Sequence, residues 1–515
     1  MLNRLSQAIH VTTRDDVIRK FILLRVGDRC TDLRRAESER ILRAQTFLAD
    51  ASVTAESSPE GGIVLYVRTV DEVAMIVGGA VDGSGVRAVR LGNSNLSGTS
   101  TFLAGSWREG GAYRDELGAR YGHQQIFGRP YSIDVEVERK SLGDRWLVET
   151  AHPFYTDIQR IAWRVRSGAL VDYIEFPTDS AVNRALGVER KFFDVGGVIR
   201  IGPPGRLTLL GASLSGDEDM PDIVPVLIGP DGLVDDTDPT LRSRYRDHRM
   251  ARANVLWGVR DLTFKSRRGF DALTATQDIP AGFQLGTMFG RSLSVLGSRD
   301  DDIFMAADLY LGIVGRYSAF RMQLQGEGRR ENDTGTWDGL LTSGRAAQYL
   351  KTNQRTVLVG SVEWSGGWHQ RIPFNLGLDD KRTGVRGFSN SRLVGGQRII
   401  ARAESRWVVG PVTQYGDLGV AAFTDVGRLY AGDVPFGSDS PVSSSVGFSI
   451  LAATPRGSAR LWRMDVAMAT SGNPAGRRWE VKFSGADNTK FFFREPDDVE
   501  RTREKTVPSS VFRWP

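Results

Sequence analysis

Two neighbouring segments in the C-terminal third alternate with a period of two. Between Gly396 and Trp407, residues Arg398, Ile400, Arg402, Glu404 and Arg406 fall on one face, and Ile399, Ala401, Ala403, Ser405 and Trp407 on the other. Further on, Leu418, Val420, Ala422 and Val426 share a face interrupted only by Thr424, opposite Asp417, Gly419, Ala421, Phe423 and Asp425. Ala253, Val255, Trp257 and Val259 likewise oppose Asn254, Gly258 and Arg260. A soluble sheet puts its apolar face on a core. A densely charged face opposite a small, aliphatic and aromatic one fits a barrel wall with water inside and lipid outside. Short runs of this kind recur from Glu72 to about Ala486, among them 99–107, 131–139, 160–165, 207–214, 283–293, 303–314 and 354–364. Stretches rich in Asp, Pro and Gly at 216–249, 326–344 and 428–443 read as long surface loops, while Gly410-Pro411 and Thr454 to Gly457 read as short turns at the opposite end.

The first seventy or so residues follow a different period. Thr13 is placed to cap a helix, with Asp16 three residues on, and Val17, Phe21 and Leu24 then recur at helical spacing until Gly27-Asp28. A second helix follows Thr31-Asp32, with Leu33, Ala36, Ile41, Ala44, Phe47 and Leu48 as its apolar stripe. Two strands, 51–56 and 63–70, flank a turn at 57–62. Taken alone, this is a small α+β domain.

With 515 residues, the chain has room for one large domain and one small one, and its 58 glycines are many for a helical enzyme. No apolar run of about 18 residues occurs, which excludes a membrane-spanning helix; barrel strands need only about 9–11 residues each. The net charge is +5. Its basic residues are spread along alternating strands and not gathered with stacking aromatics, so no nucleic-acid partner is expected; a basic rim would meet anionic lipid headgroups or phosphorylated lipopolysaccharide. A single cysteine, Cys30, forbids an intrachain disulfide and a cysteine zinc site. The five histidines, His10, His123, His152, His248 and His369, form no HExxH or i,i+4 pair. Nucleophile-elbow, Walker and dinucleotide motifs are absent, so neither an enzyme nor a bound cofactor is expected.

The loop Val385-Arg386-Gly387-Phe388, the following Gly395-Gly396-Gln397 and the strand Phe423-Thr424-Asp425-Val426-Gly427 together resemble the BamA/TamA superfamily, which includes the bacterial surface antigens and the two-partner secretion transporters. The resemblance implies a mainly β protein, a transmembrane antiparallel β-barrel of sixteen strands in the bacterial outer membrane. In it a VRGF loop folds into the lumen, where Arg386 meets Asp425 and, less firmly assigned, Glu404, with Phe423 and Gly427 completing the strand motif. It also implies that residues 1–71 are one periplasmic POTRA module, built as a strand, two helices and two strands, ahead of a barrel at 72–487. Relatives carry two to five such modules.

The function implied is assembly and insertion of outer-membrane proteins, or translocation of polypeptides, without covalent catalysis. Its partners would be unfolded outer-membrane or secreted clients, outer-membrane lipid and accessory periplasmic proteins. A seam is expected between strands near 73–81 and 477–485, where glycines 78, 79, 83 and 85 either weaken pairing or serve the turn. Two other readings stand beside this one. A passive pore or surface antigen would not need the N-terminal module, and a lipid-acting barrel enzyme would need an exposed serine or aspartate beside a histidine, with His123, His152 and His369 as the strand-adjacent candidates. The C-terminus departs from the family pattern: a tail at 488–515 follows the expected last strand, either as a disordered appendage or with Phe512 and Trp514 as an assembly signal. Met1 to His10 lacks the features of an export signal, which is expected upstream.

Overall fold

The computed structural model describes residues 11–82, 85–178, 182–380, 383–413, 416–472, 479–487 and 495–506. His10 and the rest of residues 1–10, Gly83, the start of the expected last strand at 477–478, and Phe512 and Trp514 lie outside the described residues, as does any strand ahead of the first helix.

At the N-terminus, α1 (Asp15–Lys20) and α2 (Asp32–Arg43) precede an antiparallel pair, β1 (Leu48–Ser57) and β2 (Ile63–Asp71). The Thr31 hydroxyl caps α2 by accepting from the Arg34 amide at 3.3 Å. The cap expected at Thr13 is not made: Arg14 occupies that position without a side-chain bond, and the Thr13 hydroxyl is hydrogen-bonded to Asp71 instead, tying the first helix to the end of β2. Leu33, expected on the apolar stripe, is exposed. Val17, Phe21, Ile41, Leu42, Phe47, Leu48 and Val53 form the core, and Tyr155 from the barrel completes it. The unit is therefore seated on the barrel. Arg40 donates to the Tyr155 carbonyl at 2.5 Å, Gln125 to the Val17 carbonyl at 2.9 Å, and Arg43 to Asp278 at 2.8 Å.

The barrel is one closed antiparallel ring. Among the described residues twenty strands make the wall, not the expected sixteen. The short runs between 75 and 152 are separate strands, each paired with its neighbours in sequence. The first six, from Met75–Asp82 to Asp144–His152, are 8 to 11 residues long, whereas those that follow reach 21 residues in His248–Arg268. The ring closes where Trp479–Asp487 meets Met75–Asp82. Two of the expected loops contain much strand. Arg206–Pro221 runs through 216, and the short hairpin Val226–Gly229 and Gly232–Asp235 extends the wall by pairing with the start of Asn183–Ile201. Ser318–Glu331 and Trp337–Lys351 likewise leave only 332–336 as turn. Gly410-Pro411 belongs to the strand Gln397–Thr413, at an irregularity in its register.

Alternation along the wall follows the sequence pattern. Asp417, Ala421, Phe423 and Asp425 are buried inside, while Val420, Ala422, Thr424 and Val426 are exposed outside. Val77, Leu91, Val137, Ile199, Val255, Phe289, Ile399 and Phe448 continue an apolar exterior around the ring. Among the described residues, no helix is long and apolar enough to cross a membrane. A closed barrel with every backbone group paired and an apolar exterior is the form in which strands cross a bilayer.

Among the described residues, several segments fill the lumen. The turn 269–275 folds inward, burying Phe270 against Ala347, Tyr349 and Val359, and Leu273 against Ala421, Leu451 and Leu461. A long connection, 369–396, re-enters from the other end. Part of the C-terminal tail is inside as well: Glu495, Val499, Glu504 and Thr506 are buried, and Val499 packs with Val385 and Phe388. The described part of the tail is thus no appendage but a lumenal strap containing α3 (Asp497–Thr502).

Candidate functional site in the lumen

The re-entrant connection is shaped before its tip is reached. Leu376–Gly377 pairs with Val394–Gly395 to make a neck. Asp380 accepts from the Thr383 amide at 2.7 Å, and the Val385 amide donates to the Leu378 carbonyl at 2.9 Å. Gly387 has φ +89°, a conformation a side chain would oppose. Val385 and Phe388 turn into an apolar cluster with Phe374, Leu376, Leu378, Ile400 and Leu429. That burial anchors the tip and leaves Arg386 directed at the wall.

The wall meets it with residues from paired strands. Gln397–Thr413 and Gly416–Tyr430 are in register with Arg402 opposite Asp425 and Glu404 opposite Phe423. Arg386 donates to Asp425 twice, from Nε at 2.7 Å and from Nη2 at 2.6 Å, and its backbone amide adds a third bond at 3.2 Å. This is the two-pronged geometry that a guanidinium makes and an ammonium does not. Nη1 reaches Glu404 at 3.1 Å, and the guanidinium lies 3.4 Å from the Phe423 ring centroid.

Two glycines make the fit possible. A Cβ on Gly427 would sit 2.5 Å from Val385 Cγ2, and one on Gly447 would sit 2.4 Å from Phe423 Cζ. The structure thus brings together all eight residues singled out in the sequence: Val385, Arg386, Gly387, Phe388, Glu404, Phe423, Asp425 and Gly427.

It adds others. Arg463 donates to Glu404 at 2.7 Å and to Asp465 at 2.6 Å, Arg406 to Glu404 at 2.6 Å, and Arg402 to Glu363 at 2.7 Å and to the Gly384 carbonyl at 2.9 Å. Four guanidinium groups and four carboxylates share the cluster, so its charges offset one another away from bulk water. Arg402 and Arg406 were legible as inward neighbours of Glu404. Arg463 and Asp465 carried only the weaker signal of alternation in Arg460–Ser471. Beyond the tip, the Ser389 amide donates to Glu480 of the last strand at 3.3 Å. A cavity of about 370 Å³ there is lined by Arg386, Glu404, Arg463, Glu480 and Lys482.

The arrangement holds and positions; it presents no nucleophile beside a base. His123, His152 and His369 lie on separate elements and are not brought together. His123 meets Thr101 at 3.3 Å, His152 stacks edge-on with Tyr131, and His369 is exposed near Asp433. Among the described residues, no group of His, Cys, Asp or Glu is placed to hold a metal ion.

No protein-family model matches the chain, and no curated protein matches it. Solved structures do. BamA from Haemophilus ducreyi lacking POTRA domains 1–3 is 11% identical at a TM-score of 0.41, covering 92% of this chain and 82% of that one. CdiB from Escherichia coli is 12% identical at 0.47, covering 92% and 74%, and CdiB from Acinetobacter baumannii is 11% identical at 0.42, covering 92% and 71%. At these TM-scores no residue correspondence is drawn from them.

Proposed function

We propose that this chain is an outer-membrane barrel that handles other polypeptides, inserting them into the membrane or moving them across it, with the N-terminal unit as a single POTRA-like module on the periplasmic side. The observation that carries this reading is the re-entrant loop, held by Arg386 on Asp425 with its tip directed at the last wall strand. A passive pore has no use for a lumen occupied by segments of its own chain. A device that works at its closing strands does, because the filling supports the rest of the wall while those strands part. Residues 75–82 and 479–487 would be the seam. Among the described residues β2 pairs only with β1, and Ile63, Val64, Tyr66 and Val67 are exposed along it. A client strand added to that hairpin would satisfy its backbone groups before meeting lipid. Outer-membrane lipid, lipopolysaccharide and accessory periplasmic proteins are the further partners of this reading.

The test is reconstitution of the full chain in liposomes with a urea-unfolded barrel client. Client folding is read from heat-modifiable gel mobility, and client passage from protease protection. Acceleration of either process, lost when residues 1–71 are deleted, is expected. If neither is accelerated while small solutes cross freely with or without residues 1–71, the chain is a pore.

A further inference from the structure

The strap at 495–506 crosses the lumen between distant parts of the wall, and it is gripped in a particular way. Asp498 accepts from Arg398 at 2.7 and 3.2 Å, beside the re-entrant loop. Glu504 accepts from Arg252 at 2.7 Å and is paired with Arg329. Between and just beyond these points the wall also holds main chain: Arg190 donates to the Arg501 carbonyl at 2.9 Å, and Arg166 to the Lys505 carbonyl at 3.2 Å. Two kinds of recognition are combined, arginine forks for carboxylates at intervals and arginine donors for backbone carbonyls between them. One pair runs the other way, with Arg503 of the strap donating to Glu327 of the wall at 2.8 Å; the rest of the grip reads acidity and main chain. Arg190, Arg252, Arg329 and Arg398 are all buried with the strap in place, so an occupant that replaces it must bring carboxylates and carbonyls of its own.

We propose that these five arginines form a binding track for an acidic polypeptide segment, which the chain's own residues 495–506 fill in cis and a client segment of the same chemistry displaces. The proposal rests on the polypeptide-handling reading given above and narrows its substrate class. Exchange on the track also releases the re-entrant loop from its contact with Val499, so arrival of a client is felt at Val385 and Phe388.

The test uses the full-length protein in detergent, with Cys30→Ser and Val499→Cys, and follows labelling of the new thiol by a charged maleimide. Val499 is fully buried, so labelling is slow while the strap is seated. Adding a twelve-residue polyglutamate is expected to speed labelling about tenfold, as will the double substitution Asp498→Asn with Glu504→Gln, each by weakening the hold on the cis segment. A Gly-Ser peptide of equal length is expected to have no effect. Thr502→Cys gives the same readout if Val499→Cys fails to fold, as judged by heat-modifiable mobility. Fast labelling of the undisturbed protein, or indifference to polyglutamate, overturns the proposal. So does inorganic pyrophosphate acting as well as the peptide, which marks a small-anion site. No client transport occurs in this assay, so exchange without transport in liposomes removes the proposed function and leaves the track, whereas transport without exchange does the reverse.

Discussion

The two sides of the barrel wall are built differently. From Ile161 to Tyr430 the wall strands, the short hairpin at 226–235 aside, are 13 to 21 residues long, and their inner faces are packed against the inward turn, the re-entrant loop or the strap. The first six strands are short, and their inner faces carry partly exposed charges such as Arg108, Arg120, Glu136 and Glu149 beside a cavity of about 530 Å³. One side has a largely filled interior; the other borders an open cavity. Stability is correspondingly uneven, since local opening is easiest where few apolar contacts are buried. The soft side includes the first strand, so the ring is weakest where it closes.

Four measurements would break or sharpen that contrast. The largest effect is expected at the lumenal cluster. Arg386→Ala or Asp425→Ala leaves a buried charge unpaired and should each cost about 3–5 kcal/mol, seen as a lower temperature for loss of heat-modifiable mobility. A double-mutant cycle should show strong coupling, and additive effects would mean that the pair does not support the wall. Arg386→Lys should recover part of the loss. Next comes packing: Gly427→Ala drives a methyl into Val385 and should cost about 1–3 kcal/mol, with Val385→Ala in the same chain relieving it.

The third concerns the joint between the N-terminal unit and the rim. Burial opposes ionisation of Glu37, but hydrogen bonds from Arg40 and Thr156 outweigh it and hold the carboxyl below its usual range. A lowered folded pKa stabilises the seated unit at neutral pH, and this contribution fades as pH falls below about 4.3 and through the folded value. Amide exchange in β1, corrected for intrinsic rates, should rise in that window, and Glu37→Gln should flatten the response. The smallest effect belongs to the soft side. Arg120 and Asp134 pair at 2.9 Å but are well exposed, so Arg120→Ala should cost no more than about 1 kcal/mol. A loss as large as that at Arg386 would erase the distinction between the two sides.

What the sequence disclosed follows the same division. The lumenal cluster was legible because its parts are local: a glycine-flanked loop and two neighbouring strands whose alternation fixes which residues face inward. The strap was not, since Asp498 and Glu504 find their arginines 100 and 252 positions away and nothing in a short polar run points to them. Strand ends were misjudged for a related reason. Asp217 and Asp219 lie buried on the inward face of Arg206–Pro221, yet in the sequence they have the composition of a loop. In a barrel with a charged interior, polarity does not distinguish wall from loop. The strand number failed because the expectation came from resemblance and not from the alternating runs themselves.

Tyr155 has one more consequence. A side chain of the barrel rim sits 6.0 Å, ring to ring, from Phe21 and closes the hydrophobic centre of the N-terminal unit. The unit therefore cannot swing as a bead on a string without tearing open its own interior. Its β-hairpin is held at one height and one angle over the rim, as a workpiece is held in a jig, and whatever strand is laid against it arrives already aligned.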